Sequence, residues 1–144
     1  MSQPKQNLQN HVRYEPLYHF VLVGLVTVLL VHAVTQLKTG ATMDKFFTLG
    51  IVVALLLLVW FARAFALKAQ DRVIRLEMRL RLQALAPALA ARFSEFPMSM
   101  LTALRFAGDG ELPQLAQQVL DGTITSSGEV KKRITDWQAD HQRV

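Results

Sequence analysis

The fold is decided by residues 46–67, FFTLGIVVALLLLVWFARAFAL, and by the basic segment that follows directly, residues 68–86, KAQDRVIRLEMRLRLQALA. The first segment slightly exceeds the ~20 mostly apolar residues that a helix needs to cross the hydrocarbon core of a bilayer. Between Ile51 and Pro87 no Gly or Pro interrupts the chain. We therefore predict one long helix within residues 46–93, whose first half lies in lipid and whose second half lies in the cytoplasm. Pro87 is the position at which we expect this helix to bend or stop.

A second apolar segment, residues 17–37, comes earlier in the chain and is also long enough to span a bilayer. Pro16 suits the first turn of a helix, where its missing N–H group costs nothing. The polar residues 1–16 precede this span, and the short connection, residues 38–45, forces the two spans to run antiparallel. The predicted fold class is an all-α membrane protein: an antiparallel transmembrane helical hairpin whose second helix extends into a small cytoplasmic helical domain, residues 68–144.

The distribution of Lys and Arg predicts the orientation. The loop between the spans holds Lys38 and Lys45. The opposite side holds a larger set of cations: Lys5, Arg13, Arg63, Lys68, Arg72, Arg75, Arg79 and Arg81. Because an excess of cations marks the cytoplasmic face, we expect a multi-pass protein of the bacterial inner membrane with both termini in the cytoplasm.

The cytoplasmic half of the long helix presents three stripes, since each residue turns it by about 100°. The basic stripe is Lys68, Arg72, Arg75 and Arg79. One apolar edge beside it is Val73, Leu76 and Leu80, and the other is Ile74, Met78, Leu82, Leu85 and Leu89. A helix lying flat on a membrane has one apolar and one polar face. Two apolar edges predict packing on protein along both, with the cover supplied by the rest of the chain or by a second copy.

Shorter helices are predicted after Pro87. Gly122 stands where one of them should end, and Ser126 with Glu129 matches a capping box that opens the next. Helices this short are stable only when their apolar faces are buried together, and we expect them to pack on the long helix. The predicted ranges are residues 98–106, 111–120 and about 127–141, and the inward side chains of the last are Val130, Ile134 and Trp137.

Composition and spacing argue against most cofactor sites. The chain has no Cys, which excludes disulfides, thiolate zinc sites, Cys-ligated iron–sulfur clusters and Cys nucleophiles. His19 and His32 on the first span could ligate haem, but their separation of thirteen residues rotates them ~140° apart on a helix. His11, Glu15 and His19 have metal-ligand spacing on a continuous helix, but Pro16 disfavours a helical conformation at Glu15. We expect neither a cofactor nor a metal.

The cations that begin at the membrane boundary have three interpretations: a solvated face, a surface for anionic lipid headgroups, or a nucleic-acid site. Nucleic acid is disfavoured because no recognition motif or aromatic stacking platform accompanies them. Because the cations begin at the membrane boundary, anionic lipid headgroups are as well supported as a solvated face. The candidate lipid-binding residues are Arg63, Lys68, Arg72, Arg75 and Arg79.

Three stretches carry a family resemblance: residues 10–20, NHVRYEPLYHF; residues 104–112, LRFAGDGEL; and the end of the chain, residues 131–144. They are similar to a family of small uncharacterised two-span bacterial inner-membrane proteins with an NHxRYxPxYHF-type motif. The resemblance covers nearly the whole chain and implies architecture and location, with no activity attached. It also implies that specific protein contacts are made near the two ends, by His11, Arg13, Tyr14, Trp137 and His141.

The function predicted from these features is non-enzymatic. Neither span has a charge at its centre, and no nucleophile motif is present. We expect a scaffold, assembly factor or accessory subunit that acts through protein and anionic-lipid contacts, as a homo-oligomer or within a larger membrane complex. Two alternatives remain: a haem-binding subunit of an electron-transfer complex that uses His19 or His32, and an oligomeric pore or holin-like protein.

Overall fold

The computed structural model describes residues 7–8 and 15–140, and all the regular secondary structure in these residues is helical. The chain divides into two compact units: Tyr14–Leu67, and Lys68–Val144 together with Met1–Arg13. The elements are a π-helical segment Leu17–Leu22, α1 Val23–Leu37, α2 Met43–Leu85, α3 Pro87–Ala91, a 3₁₀ turn Phe93–Glu95, α4 Met98–Leu104, α5 Leu112–Leu120 and α6 Ser127–Arg133.

The unit Tyr14–Leu67 consists of the helical stretch Leu17–Leu37 and the first part of α2. Both helices are long and apolar enough to cross a membrane. The Tyr18 hydroxyl donates a hydrogen bond of 2.9 Å to the carbonyl oxygen of Val59. The large apolar side chains of this unit are mostly exposed, so their burial does not hold it together.

Helix α2 confirms the predicted long helix up to the residues before Pro87, and of the two outcomes expected there, a bend or a stop, the structure shows the stop. The helix runs for 43 residues, Met43–Leu85, beginning a little earlier than expected. Ala86 leaves the helical region with φ −150° and ψ 73°, because the residue before a proline is disfavoured in the α conformation. Pro87 then starts α3 as its first residue, where no N–H group is needed. The long helix therefore stops before Pro87.

The core of the unit Lys68–Val144 is built on one of the two predicted apolar edges of α2. Ile74, Met78 and Leu82 have exposed fractions of 2%, 0% and 0%. The short helices cover this edge, with α4 packed on α5 and α6, and α3 on α5. The fully buried side chains of these helices and of the segments that connect them include Leu101, Leu104, Phe106, Leu112, Ile124 and Val130.

The opposite apolar edge of α2 is not covered. Val73, Leu76 and Leu80 are 63%, 60% and 57% exposed. The prediction that α2 packs on protein along two edges is therefore confirmed within the chain for one edge only, and on that edge Leu85, predicted to be buried, is 39% exposed.

Local signals place the ends of the short helices. The Ser126 hydroxyl accepts a hydrogen bond of 3.2 Å from the Glu129 amide. In return, the Glu129 carboxylate accepts one of 3.0 Å from the amide of Thr125, so the predicted capping box is present. Gly122 follows α5 with φ +74°, the left-handed conformation that commonly ends a helix.

The predicted last helix, 127–141, is wrong beyond Arg133. Ile134 is extended, with φ −67° and ψ 123°, and the following residues run alongside the segment 106–108. The Gly108 amide donates to the carbonyl oxygen of Asp136, and the Gln138 amide donates to that of Phe106, both at 2.8 Å. Ala107 and Trp137 form the antiparallel bridge between the two segments.

Glu111 explains why the chain leaves the helix there. Its carboxylate accepts hydrogen bonds from the Thr135 amide at 3.0 Å, the Thr135 hydroxyl at 2.7 Å and the Asp136 amide at 3.2 Å. These two amides are the ones that a continuing helix would bond internally. Burial alone would raise the pKa of Glu111, but the hydrogen bonds together bring the pKa below its ordinary value of 4.5.

The buried edge of α2 can be tested with two leucines three residues apart. Leu82→Ala should lower the free energy of unfolding by about 2 to 5 kcal/mol, because it opens a cavity in the core. Leu85→Ala is the control and should cost less than about 1 kcal/mol, since Leu85 is partly exposed. Denaturant unfolding of the full chain in detergent, followed by helical circular dichroism, measures both. Equal losses would contradict the assigned core.

Residues 136–138, the tail of the chain, pack on residues 106–108, so substitutions of Gly108 and Gly110 should differ in their effect on stability. A Cβ added at Gly108 would press into the Asp136 carboxylate, with Cγ only 2.8 Å away, whereas nothing lies within 4 Å of one added at Gly110. Gly108→Ala should therefore destabilise the unit by about 1 to 3 kcal/mol and expose Trp137. Gly110→Ala should leave both the unfolding midpoint and the tryptophan emission unchanged. A silent Gly108→Ala would contradict the predicted clash with the Asp136 side chain.

The lowered pKa of Glu111 predicts a pH dependence. The folded state favours the charged carboxylate, so its contribution is complete above the ordinary pKa of 4.5 and is lost as pH falls through the folded pKa. Glu111→Gln should thus lower stability at neutral pH and flatten the loss of stability between about pH 6 and about pH 3. Unfolding midpoints measured across this range would reveal the effect. Parallel curves for the two proteins would contradict it.

Candidate functional site

An arginine-lined groove of about 500 Å³ lies in the unit Lys68–Val144. One wall is the basic stripe of α2, which places Arg72, Arg75 and Arg79 on one side of the helix because they are spaced by three and four residues. The facing wall comes from α3 and the turn after it. The lining residues are Arg72, Arg75, Leu76, Arg79, Ala90, Ala91, Phe93 and Ser94.

The break at Ala86 creates the second wall. It turns the chain back after α2, and the buried side chains of Leu89 and Phe93 anchor the returning segment in the core. Small side chains at Ala90 and Ala91 keep the wall low, so that the space above them stays open. The groove therefore results from one local interruption and two apolar anchors.

The groove is positively charged. Its lining holds three guanidinium groups and no carboxylate. Glu95 is the nearest acid along the α3 segment, and Arg92 binds it through two hydrogen bonds of 2.9 and 2.7 Å. The hydrogen bond from Arg92 lowers the pKa of Glu95, against the opposing effect of burial. That carboxylate is thus already paired with a cation outside the groove.

Chemically, this arrangement suits an anion attached to an apolar group. Guanidinium groups bind phosphate or carboxylate oxygens through paired, charge-assisted hydrogen bonds. Ser94 adds a hydroxyl, and Phe93 and Leu76 supply apolar surface beside the cations. A phosphate ester with a hydrocarbon portion would match both parts of the lining.

The structure brings together three of the five predicted lipid-binding residues. Arg72, Arg75 and Arg79 line the groove, whereas Arg63 and Lys68 are not among its lining residues. Lys68 is exposed on α2, and Arg63 is half-buried in the unit Tyr14–Leu67.

The histidines proposed for haem both lie on the helical stretch Leu17–Leu37. His19 is in the π-helical segment, where its Nδ1 atom is 3.0 Å from the Glu15 carbonyl oxygen and its ring meets Tyr18 edge-on at 5.2 Å. His32 is exposed on α1. Among the described residues, no group of three His, Cys, Asp or Glu side chains could hold a metal ion. His11, the first residue of the proposed metal row, lies outside the described residues.

Of the predicted protein-contact residues, only Trp137 is described; His11, Arg13, Tyr14 and His141 fall in ranges that the structure does not describe. Trp137 packs on Phe106 of its own chain, with ring centroids 5.4 Å apart. It is half-buried there and contributes to the core. At least part of its predicted contact surface is therefore used within the chain.

Sequence reasoning missed the second wall of the groove. The apolar pattern of residues 87–93 predicts a buried segment but does not say which face of α2 it follows. The only local signal was the helix break at Pro87, which requires the chain to change direction close to the basic stripe.

Comparison with known proteins adds one relationship. No curated protein and no solved structure shows significant similarity to the chain. One family profile matches residues 1–144, the full length of the sequence. This confirms the resemblance to an uncharacterised family, although the NHxRYxPxYHF-type motif and the bacterial membrane location remain predictions. The chain belongs to DUF6526, a family of unknown function.

Proposed function

We propose that this chain is a bacterial inner-membrane protein that binds anionic lipid headgroups in its arginine-lined groove. In this proposal its helices form an antiparallel transmembrane hairpin with both termini in the cytoplasm. The protein acts without catalysis, as a scaffold, assembly factor or accessory subunit. The observation that carries the proposal is the groove in which Arg75 and Arg79 face the apolar segment after Pro87.

Exposure in the unit Tyr14–Leu67 supports the membrane location. Large apolar side chains cover both of its helices, and most of them are not buried by the protein. In water, so much contiguous apolar surface would be strongly unfavourable. In the hydrocarbon core of a bilayer this apolar surface is solvated by lipid, and the backbone N–H and C=O groups are hydrogen-bonded within the helices.

The position of the groove arginines along α2, close to the predicted membrane span, supports lipid as the ligand. The arginines of the groove begin within two helical turns of Leu67, the last residue of the predicted span. Clusters of cations directly beside a span are attracted to anionic headgroups. The apolar surface of Leu76, together with Ala90 and Ala91 on the facing wall, provides a place for the glycerol and upper acyl portion of such a lipid.

The character of the lining supports a binding role. Catalysis by proton transfer requires a base or acid within hydrogen-bond reach of the reacting group. The groove offers guanidinium groups, one serine hydroxyl and apolar side chains, and its lining contains neither His nor a carboxylate. Such a set can hold and orient an anion.

Lipid binding can be tested on the full chain in a neutral detergent. Short-chain phosphatidylglycerol should bind in a titration followed by native mass spectrometry, and short-chain phosphatidylcholine should not. The double variant Arg75→Gln/Arg79→Gln should weaken phosphatidylglycerol binding about tenfold or more, because it removes charged hydrogen-bond donors from the groove. Lys132→Gln/Arg133→Gln removes the same charge from exposed positions of α6 and should change binding little.

Three results would overturn the proposal. Equal binding of the two lipids would show that the headgroup charge is not recognised. Equal weakening by the α6 control would reduce the effect to net charge. Inorganic phosphate bound as tightly as phosphatidylglycerol would identify a site for a soluble anion.

A further inference from the structure

Helix α2 has an exposed apolar edge formed by Val73, Leu76 and Leu80, each more than half exposed. The edge belongs to the unit Lys68–Val144, beyond the predicted membrane span. Large apolar side chains in a row on the water-exposed part of a helix are unfavourable unless they have a partner.

The spacing of this edge is that of a coiled coil. Ala69, Val73, Leu76 and Leu80 follow one another at intervals of four, three and four residues. This is the alternation of the a and d positions of a heptad, with Val73 and Leu80 at a, and Ala69 and Leu76 at d. In the sequence the same register continues upstream through Ala62 and Ala66. Val73 at a, followed by Leu76 at d, is the combination of a β-branched residue and Leu that favours a parallel two-stranded coiled coil.

We propose that this edge of α2 packs against the same edge of a second copy of the chain, forming a parallel, left-handed homodimeric coiled coil through Val73, Leu76 and Leu80. A membrane protein inserts with one orientation, so two copies in the same bilayer present these helices in parallel. Each copy thereby covers the apolar edge that its own short helices leave exposed.

Charge complementarity identifies the second copy as the partner. In this register Arg72 occupies a g position and Glu77 an e position, and both are exposed. In a parallel pair, a g residue lies opposite the e residue five positions later in the other strand. Arg72 therefore meets Glu77 of the partner subunit, and the two-fold symmetry makes this ion pair twice. An antiparallel pair would not bring these two opposite charges together in this way.

The dimer seam and the lipid groove lie on neighbouring faces. Arg75 occupies a c position and points away from the seam, since it is rotated by roughly 130° from its centre at 100° per residue. Arg79, seven residues after Arg72, occupies the next g position and flanks the seam. Arg72, Leu76 and Arg79 stand between the two faces and are the residues that both arrangements share. The dimer does not require the lipid site, so it can be tested without lipid.

The absence of Cys from the chain allows a direct cross-linking test. Leu76→Cys lies at a d position, where parallel strands bring equivalent residues together, and oxidation in detergent should yield a disulfide-linked dimer. Asp71→Cys is exposed on the same helix, about 170° around from the seam, and should stay monomeric on a non-reducing gel. Light scattering of the unmodified protein should give twice the mass of one chain.

A charge exchange tests the register independently. Arg72→Glu and Glu77→Arg should each weaken the dimer about tenfold, because each places like charges opposite one another at two symmetric sites. The double variant Arg72→Glu/Glu77→Arg should restore the dissociation constant, since the pairs are re-formed with the charges exchanged.

Any of three outcomes would overturn the dimer: a monomeric mass, cross-linking of Asp71→Cys as fast as that of Leu76→Cys, or a double variant as weak as the single ones. A monomer that still distinguished phosphatidylglycerol from phosphatidylcholine would remove the coiled coil and leave the lipid groove in place. A dimer that bound both lipids equally would remove the lipid groove and leave the coiled coil in place.

Discussion

The unit Lys68–Val144 depends on the hydrogen bonds and the ion pair that the Arg81 guanidinium makes. The guanidinium donates hydrogen bonds to the carbonyl oxygens of Arg105 at 3.1 Å and Ala107 at 2.8 Å, and it pairs with Asp109 at 2.6 Å. The carbonyls at the end of a helix have no partner within it, and one guanidinium has enough donors to serve several acceptors. Arg81 therefore fixes the end of α4 against α2, and the tail pairs with the adjoining residues 106–108.

With this attachment in place, the surface of α2 in the unit has three parts: a buried face, a basic face that borders the groove and an exposed apolar face. The face with Ile74, Met78 and Leu82 is buried by the short helices that Arg81 helps to hold in place. The basic face borders the groove because the chain reverses at Pro87 and its returning segment is anchored in the same core. The third face remains exposed, since the short helices after Pro87 do not reach around to it. The short helices have only five to nine residues, so they cover only part of α2, whose basic face also lines the groove.

What the sequence predicted well depends on neighbouring residues. From Ile51 onwards the continuity of α2 follows from a run without Gly or Pro, and its end follows from the steric demand of Pro87 on Ala86. The start of α6 follows from the pairing of Ser126 with Glu129. The buried edge of α2 follows from helical periodicity, which fixes the residues that share a face before any partner is known.

What the sequence did not predict depends on distant residues. The early end of α6 requires Glu111, more than twenty positions away, to bind the amides of Thr135 and Asp136. A capped amphipathic pattern cannot reveal that competition, because Val130, Ile134 and Trp137 are apolar in either conformation. Likewise, the sequence predicted only one wall of the groove. The arginines form a stripe that helical periodicity reveals, but the opposite wall exists only after the chain has turned.

The two proposed contacts of α2 have a physical connection. In a parallel pair the basic faces of both copies lie on neighbouring helices, so their like charges oppose association. An anionic headgroup bound at Arg75 and Arg79 neutralises part of that charge and lowers the repulsion. Linkage then requires the reverse effect of equal size: association must strengthen headgroup binding as much as binding strengthens association. The cations contribute a positive term to this coupling, which raising the salt concentration should reduce, because the arginines are exposed to solvent. Competition for Arg72 and Leu76, which both contacts use, contributes a term of the opposite sign.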